Sequence, residues 1–207
     1  MKESYSFRNT KLYRMVVSQM TKEIIASIEK TKSRLAKPPS LPAKQGIYAF
    51  FINHTDDLGI FGGSGQLIYI GLSGKNLNSR DVKTHLTSEK TGRSTLRRSI
   101  GAILKKKLKL TAIARDKNSI KLRADKYKFN ESGEHRLTEW MLKNLMLGYW
   151  TPDISISSEK LRSLEEKTII RLKPTLDLDK RTKRFNPLAE QLDKLRGICR
   201  NEVKNGK

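Results

Sequence analysis

The longest strongly apolar run in this 207-residue chain, Ile47 to Ile52, is only six residues long. A membrane-spanning helix needs about 18 or more, so the run has the length of one buried strand. Its composition agrees, because Gly46-Ile47-Tyr48-Ala49-Phe50-Phe51-Ile52 is rich in aromatic and β-branched residues, which suit a pleated surface. A polar, glycine-rich loop follows from His54 to Gln66 and includes Gly62-Gly63-Ser64-Gly65. Leu67-Ile68-Tyr69-Ile70-Gly71 reads as a second strand, and the two are expected to pair as an antiparallel hairpin. Leu145 to Trp150, stopped by Thr151-Pro152, supplies a third.

Helical periodicity surrounds these strands. Leu12, Val16, Met20, Ile24 and Ile28 recur every four positions with Lys and Glu between them, an amphipathic pattern. The helix is expected to span 12–36 and to stop at Lys37-Pro38-Pro39-Ser40-Leu41-Pro42, a stiff connector. Asn78 or Ser79 would cap a helix through His85 and Leu86. Ser94 to Lys107 forms another, with Leu96, Ile100, Ile103 and Leu104 inward and Arg97, Arg98, Lys105 and Lys106 largely outward. Glu134 to Asn144 and Ser158 to Leu172 continue the pattern, the latter ended by Lys173-Pro174. Leu188 to Leu195 begins a last helix whose tail after Gly197 is expected to fray. The expected fold is α/β (α+β): a small antiparallel three-stranded sheet flanked by helices. Residues 1–44 would be an N-terminal helical extension docked on the main domain or on a partner, 45–188 the main domain, and 189–207 a C-terminal helix and basic tail.

The net charge is +22, from 43 Lys and Arg against 21 Asp and Glu. Such a surplus opposes compaction unless a polyanion neutralises it. It is unevenly spread, with 16 basic and 4 acidic side chains between residues 80 and 128. A concentrated basic face is the footprint of a nucleic-acid binder. A merely solvated or membrane-binding surface ranks behind it, since no lipidation signal or terminal polybasic anchor accompanies the charge. Arg93, Arg97 and Arg98 are candidates to grip backbone phosphates, contacts that position a duplex without reading its sequence. The single cysteine, Cys199, makes neither an internal disulfide nor a Cys-type zinc site. Met1-Lys2-Glu3-Ser4 lacks the apolar stretch of a secretory signal, so a cytoplasmic, nucleoid-associated protein is expected.

One carboxylate stands out on the helix from Ser158 to Leu172. Glu165 has Leu161 four residues before it and Ile169 four after, so it projects inward, whereas Glu166 lies on a mixed face. An inward carboxylate is costly without a cation or strong donors. An arginine ion pair or a metal ion would serve.

Taken in order, Gly46-Ile47-Tyr48, Tyr69-Ile70-Gly71, Asn76-Leu77 before Arg80, and Leu164-Glu165 before Pro174 resemble the GIY-YIG endonuclease family over roughly residues 46–188. Each motif alone is weak, and their joint order is specific. The resemblance implies metal-dependent hydrolysis of DNA phosphodiester bonds, of restriction or repair type. It implies one Mg²⁺ (or Mn²⁺) held by Glu165 with waters and phosphate, a sparse ligation that suits Mg²⁺. It also implies Arg80 facing the scissile phosphate, Tyr48 as general base and Tyr69 positioning water or phosphate. Three positions depart from the family pattern. Leu72 stands where a lysine often follows the second motif, and Lys75 is the candidate to replace it. Thr84 stands where a His or Tyr is often found, with His85 one place further, about 100° round a helix; His85 is the candidate proton carrier. Asp177 stands where an asparagine is often found, and Asn186 is its candidate substitute. Cutting both strands needs two sites or repositioning, for which a homodimer is one route. The alternative is a non-catalytic nucleic-acid-binding protein on the same scaffold; a third reading is a structural, RNA-associated basic protein.

Overall fold

In the computed structural model, residues 11–35, 41–78, 80–115 and 124–205 are described, with backbone alone for 11–14, 80, 81 and 125. Strand β2 (Gly46–Ile52) is buried at every one of its seven positions. That requires cover on both faces, and explains why its sequence is an unbroken apolar run rather than an alternating one. It lies at the centre of a sheet with β1 (Ser33–Arg34), β3 (Leu67–Ser73) and β6 (Leu145–Trp150) in the order β1-β6-β2-β3. All three pairings are antiparallel.

Alternation along β2 sends its side chains into two separate cores. Ile47, Ala49 and Phe51 meet Val17, Ile24 and Ile28 of α1 (Lys11–Lys30) together with Leu161, Leu164 and Ile169 of α5 (Ser158–Leu172). Tyr48, Phe50 and Ile52 face the other core. There they join Val82 of α2 (Arg80–Leu86), Leu96 and Ile100 of α3 (Thr95–Ile103), Leu137 and Met141 of α4 (Glu131–Asn144), and Leu192 and Val203 of α6 (Ala189–Asn205). A two-stranded antiparallel ladder, β4 (Ala112–Ile113) with β5 (Lys128–Phe129), sits beside this second core.

The structure corrects several expectations. The sheet has four strands, because after Lys30 the chain turns and Ser33 and Arg34 pair with Leu147 and Met146 instead of staying helical to residue 36. Two residues are too few to show a period in the sequence. The buried face of α1 runs through Val17, Thr21, Ile24 and Ile28, while Val16 is exposed. Four residues advance a helix about 40° past a full turn, so a strict every-fourth stripe slides off the core. The tail after Gly197 is helical to Asn205, held because Cys199 and Val203 are buried. Arg97 is fully buried and Arg98 nearly so, rather than outward. Pro38, Pro39 and the alternative cap Ser79 lie outside the described residues.

The edge strand β3 is finished by the chain that follows α5. Leu176 N donates to Ile68 O at 2.9 Å, and Ile70 N donates to Asp177 Oδ2 at 3.1 Å. The segment after Pro174 thus occupies polar groups that a bare sheet edge would present to any passing strand. Asn186 clamps it, with Nδ2 donating to Thr175 O at 2.8 Å and Asp177 O at 2.9 Å.

Candidate active site

Tyr48 lies opposite Gly71 in the β2–β3 ladder. A Cβ on Gly71 would fall 2.6 Å from the Tyr48 hydroxyl, so only glycine leaves room for the ring. Packed this way, Tyr48 directs its hydroxyl to His85 Nε2 at 2.9 Å. His85 Nδ1 lies 2.6 Å from Ser94 Oγ, and Ser94 Oγ accepts the Arg97 N–H at 3.0 Å as the N-cap of α3. Burial, with Arg97 and Arg98 nearby, pushes His85 down to about 3. The imidazole is therefore neutral at physiological pH. Tyr69 stands beside the pair, its ring centroid 6.5 Å from Tyr48 and 5.4 Å from His85.

A cleft of about 590 Å³ opens over this pair. It is lined by Tyr48, His85, Arg93, Arg98, Arg115 and Lys126, with Leu72, Thr84 and Gly92. Its floor is built by the turn at Thr91–Arg93. Gly92 O accepts from Arg98 Nη1 at 3.0 Å and from Arg115 Nη1 at 3.4 Å. Two guanidinium groups are thereby drawn to one carbonyl at the cleft wall. The charges behind them are accounted for elsewhere. Arg97 Nη2 pairs with Glu134 Oε2 at 2.8 Å, both side chains almost wholly enclosed, and Arg97 Nη1 donates to His85 O at 3.3 Å.

Two buried carboxyls, Glu165 and Asp177, act on Tyr69. Burial first, then the neighbouring charges of Tyr48, Asp177 and Glu165, raise the Tyr69 phenol well above its ordinary value. Glu165 is itself pushed up to about 7, chiefly by burial, with Arg181 opposing at an Nη2–Oε2 distance of 3.5 Å. The ion pair foreseen for this carboxylate exists, but it is long and does not outweigh desolvation. Asp177 is raised as well, by burial, with the Ile70 N–H working against it.

A family model for the GIY-YIG catalytic domain matches residues 46–198. The chain belongs to the GIY-YIG family. As a GIY-YIG protein it is an endonuclease. No curated protein and no solved structure shows significant similarity to it.

With the family in place, the candidate residues divide. Tyr48, His85, Arg93 and Arg98 converge on the cleft, Tyr69 stands beside them, and Glu165 lies close enough to act on Tyr69. Arg80 begins α2, and its side chain lies outside the described residues. His85, one place beyond the family position at Thr84, reaches Tyr48. Arg97 is not placed to grip phosphate, because it is consumed inside by Glu134 and Thr138. Asn186 is likewise spent on backbone, and Asp177 itself keeps its place beside β3. Lys75 lines a different depression with Lys44, Gln45 and Asp153. Sequence reasoning missed Arg115, Lys126 and Ser94. The basic surplus of residues 80–128 pointed to the first two without singling them out; Ser94 carried only an ordinary helix-cap signal.

Proposed function

We propose that this GIY-YIG endonuclease hydrolyses DNA phosphodiester bonds with a divalent cation, Mg²⁺ or Mn²⁺. The observation that carries the reading is the cationic cleft opening directly on the hydrogen-bonded Tyr48–His85 pair. A phosphodiester is the anion that such a cleft neutralises, and hydrolysis needs a base beside it.

The donor set suits a hard cation. Glu165 and Asp177 are buried carboxyls whose ionised forms lack adequate compensation, and oxygen ligands of this kind favour Mg²⁺ with its remaining waters. Glu165 would hold the ion. When bound, it supplies Lewis-acid stabilisation of charge on the phosphoryl oxygens. The protein's own groups do the rest. Tyr48, as phenolate, takes the proton of the attacking water, with the His85 imidazole 2.9 Å from its oxygen. Tyr69, whose environment keeps it a neutral phenol, donates a hydrogen bond to water or phosphate. Arg93, Arg98, Arg115 and Lys126 hold substrate phosphates, and Arg80 is assigned to the scissile one by its place in the family motif.

Purified protein incubated with supercoiled plasmid and Mg²⁺ or Mn²⁺ should cleave it, and EDTA should stop the reaction. Glu165→Ala and Tyr48→Phe should bind the plasmid in a gel-shift assay without cutting it. Binding without cleavage by the wild type under every metal would refute the reading. Sequencing the cut ends separates a restriction role, with one recurrent sequence, from a repair role directed by DNA structure.

A further inference from the structure

A buried hydroxyl has one hydrogen to give and two lone pairs to receive with. Ser94 is fully buried, and its Oγ has two partners: the Arg97 N–H at 3.0 Å and His85 Nδ1 at 2.6 Å. The first is fixed, because Arg97 N is a backbone donor in the first turn of α3 and can only give. If Nδ1 also carried a proton, Ser94 would receive twice and its own hydrogen would be left without an acceptor, at a cost of about 1–3 kcal/mol. The serine hydrogen therefore goes to Nδ1, and the ring proton resides on Nε2.

From this we infer that Ser94 is a positioning residue for cleavage: as the N-cap of α3 it locks His85 in the Nε2–H form, which makes His85 a hydrogen-bond donor to Tyr48. A donor at 2.9 Å from the phenol oxygen steadies the phenolate, whereas an acceptor there would hold the phenol proton in place. The cap of one helix thus sets the direction of a hydrogen bond at the reacting tyrosine. Arg97 ties the same unit together, since its backbone N–H occupies Ser94 and its side chain holds His85 O at 3.3 Å. The inference rests on the proposed role of Tyr48 as base, but the tautomer is readable without any activity.

The test uses the full-length protein, ¹⁵N-labelled, with long-range ¹H–¹⁵N spectra of its three histidines, His54, His85 and His135, and His85→Gln to assign the signal. The wild type should show the Nε2–H pattern. Ser94→Asp keeps an N-cap acceptor but has no hydrogen to donate, so the pattern should reverse to Nδ1–H. Ser94→Thr should retain it. Plasmid cleavage should fall roughly 10–100-fold in kcat for Ser94→Asp and Ser94→Ala, by analogy with the loss when a metal-ligating histidine's other nitrogen is deprived of its partner. KM should be unchanged, and Ser94→Thr should restore the rate. An Nδ1–H pattern in the wild type overturns the inference. So does an unchanged tautomer in Ser94→Asp, or a reversed tautomer with undiminished kcat. A wild type that shows Nε2–H yet cuts no DNA refutes the nuclease reading and the catalytic role together, leaving the tautomer assignment standing.

Discussion

Acidification should destabilise this protein through His85 before general acid denaturation sets in. The imidazole is enclosed between α2, α3 and the sheet and is pushed from its ordinary 6.5 to about 3. Below pH 6.5 the unfolded chain takes a proton that the folded chain refuses, so the unfolded state binds more protons and stability falls with falling pH. The contribution is complete above pH 6.5 and is lost progressively down to about 3. At about 1.4 kcal/mol per pH unit, lowering the pH from 7.5 to 4.5 should cost on the order of 2–3 kcal/mol through this group alone. For a chain of this size that is roughly 4–12 °C in Tm. Other groups titrate in the same interval, so the comparison is with His85→Gln, whose amide can receive from Ser94 and donate to Tyr48 without titrating. Urea denaturation followed by circular dichroism at pH 7.5 and 4.5 gives the difference. The wild type should lose about 2–3 kcal/mol more than the variant. Equal losses would show that the imidazole is not buried in neutral form, and would remove the argument for its neutrality at the site.

Three further outcomes follow from individual contacts. Glu134→Ala leaves the enclosed Arg97 guanidinium without its anion and also strands Phe129 N and the Thr91 hydroxyl hydrogen; urea melts should show a loss of about 3–5 kcal/mol, of which Arg97→Met combined with Glu134→Leu should recover the part due to the unpaired charge. Removing Arg115 and Lys126 together should weaken binding to any duplex alike and lower the slope of log K against log salt by about 2, since each phosphate contact contributes about 0.9; an unchanged slope would place the DNA elsewhere. Gly71→Ala forces a methyl group onto the Tyr48 ring and should abolish plasmid cleavage, with gel-shift affinity retained because the cationic lining is untouched.

What could be read from the chain was whatever leaves a short, dense pattern. The apolar run at Ile47–Ile52 announced the central strand, and the inward Glu165 was visible from Leu161 and Ile169 on its helix. Both are local periodicities. The strand β1 was invisible because Ser33 and Arg34 pair only by virtue of where α1 ends. Arg97 was misjudged for a different reason: helical position and charge say outward, and only the carboxylate of Glu134, 37 residues away in sequence, makes burial possible. His85 fell one place from the family position, yet the structure aims it at Tyr48. Spacing alone does not reveal how α2 is rotated against the sheet.

The same distinction bears on how a surplus of 22 positive charges can be carried by a folded chain. Part of the basic stretch between residues 80 and 128 is turned inward and neutralised, as Arg97 is by Glu134, so the count of basic residues overstates what the surface presents. Four others, Arg93, Arg98, Arg115 and Lys126, line one cleft beside a turn whose Gly92 carbonyl accepts from both Arg98 and Arg115. Across Tyr69, the segment finishing the β3 edge brings Asp177 to the same sheet, and α5 brings Glu165. Guanidinium groups line the cleft over Tyr48, and carboxyls displaced towards neutrality lie near Tyr69. On the proposed reading, a phosphate would meet the first and a divalent cation the second. Binding either should then ease binding of the other, because the two bring opposite charges to neighbouring groups.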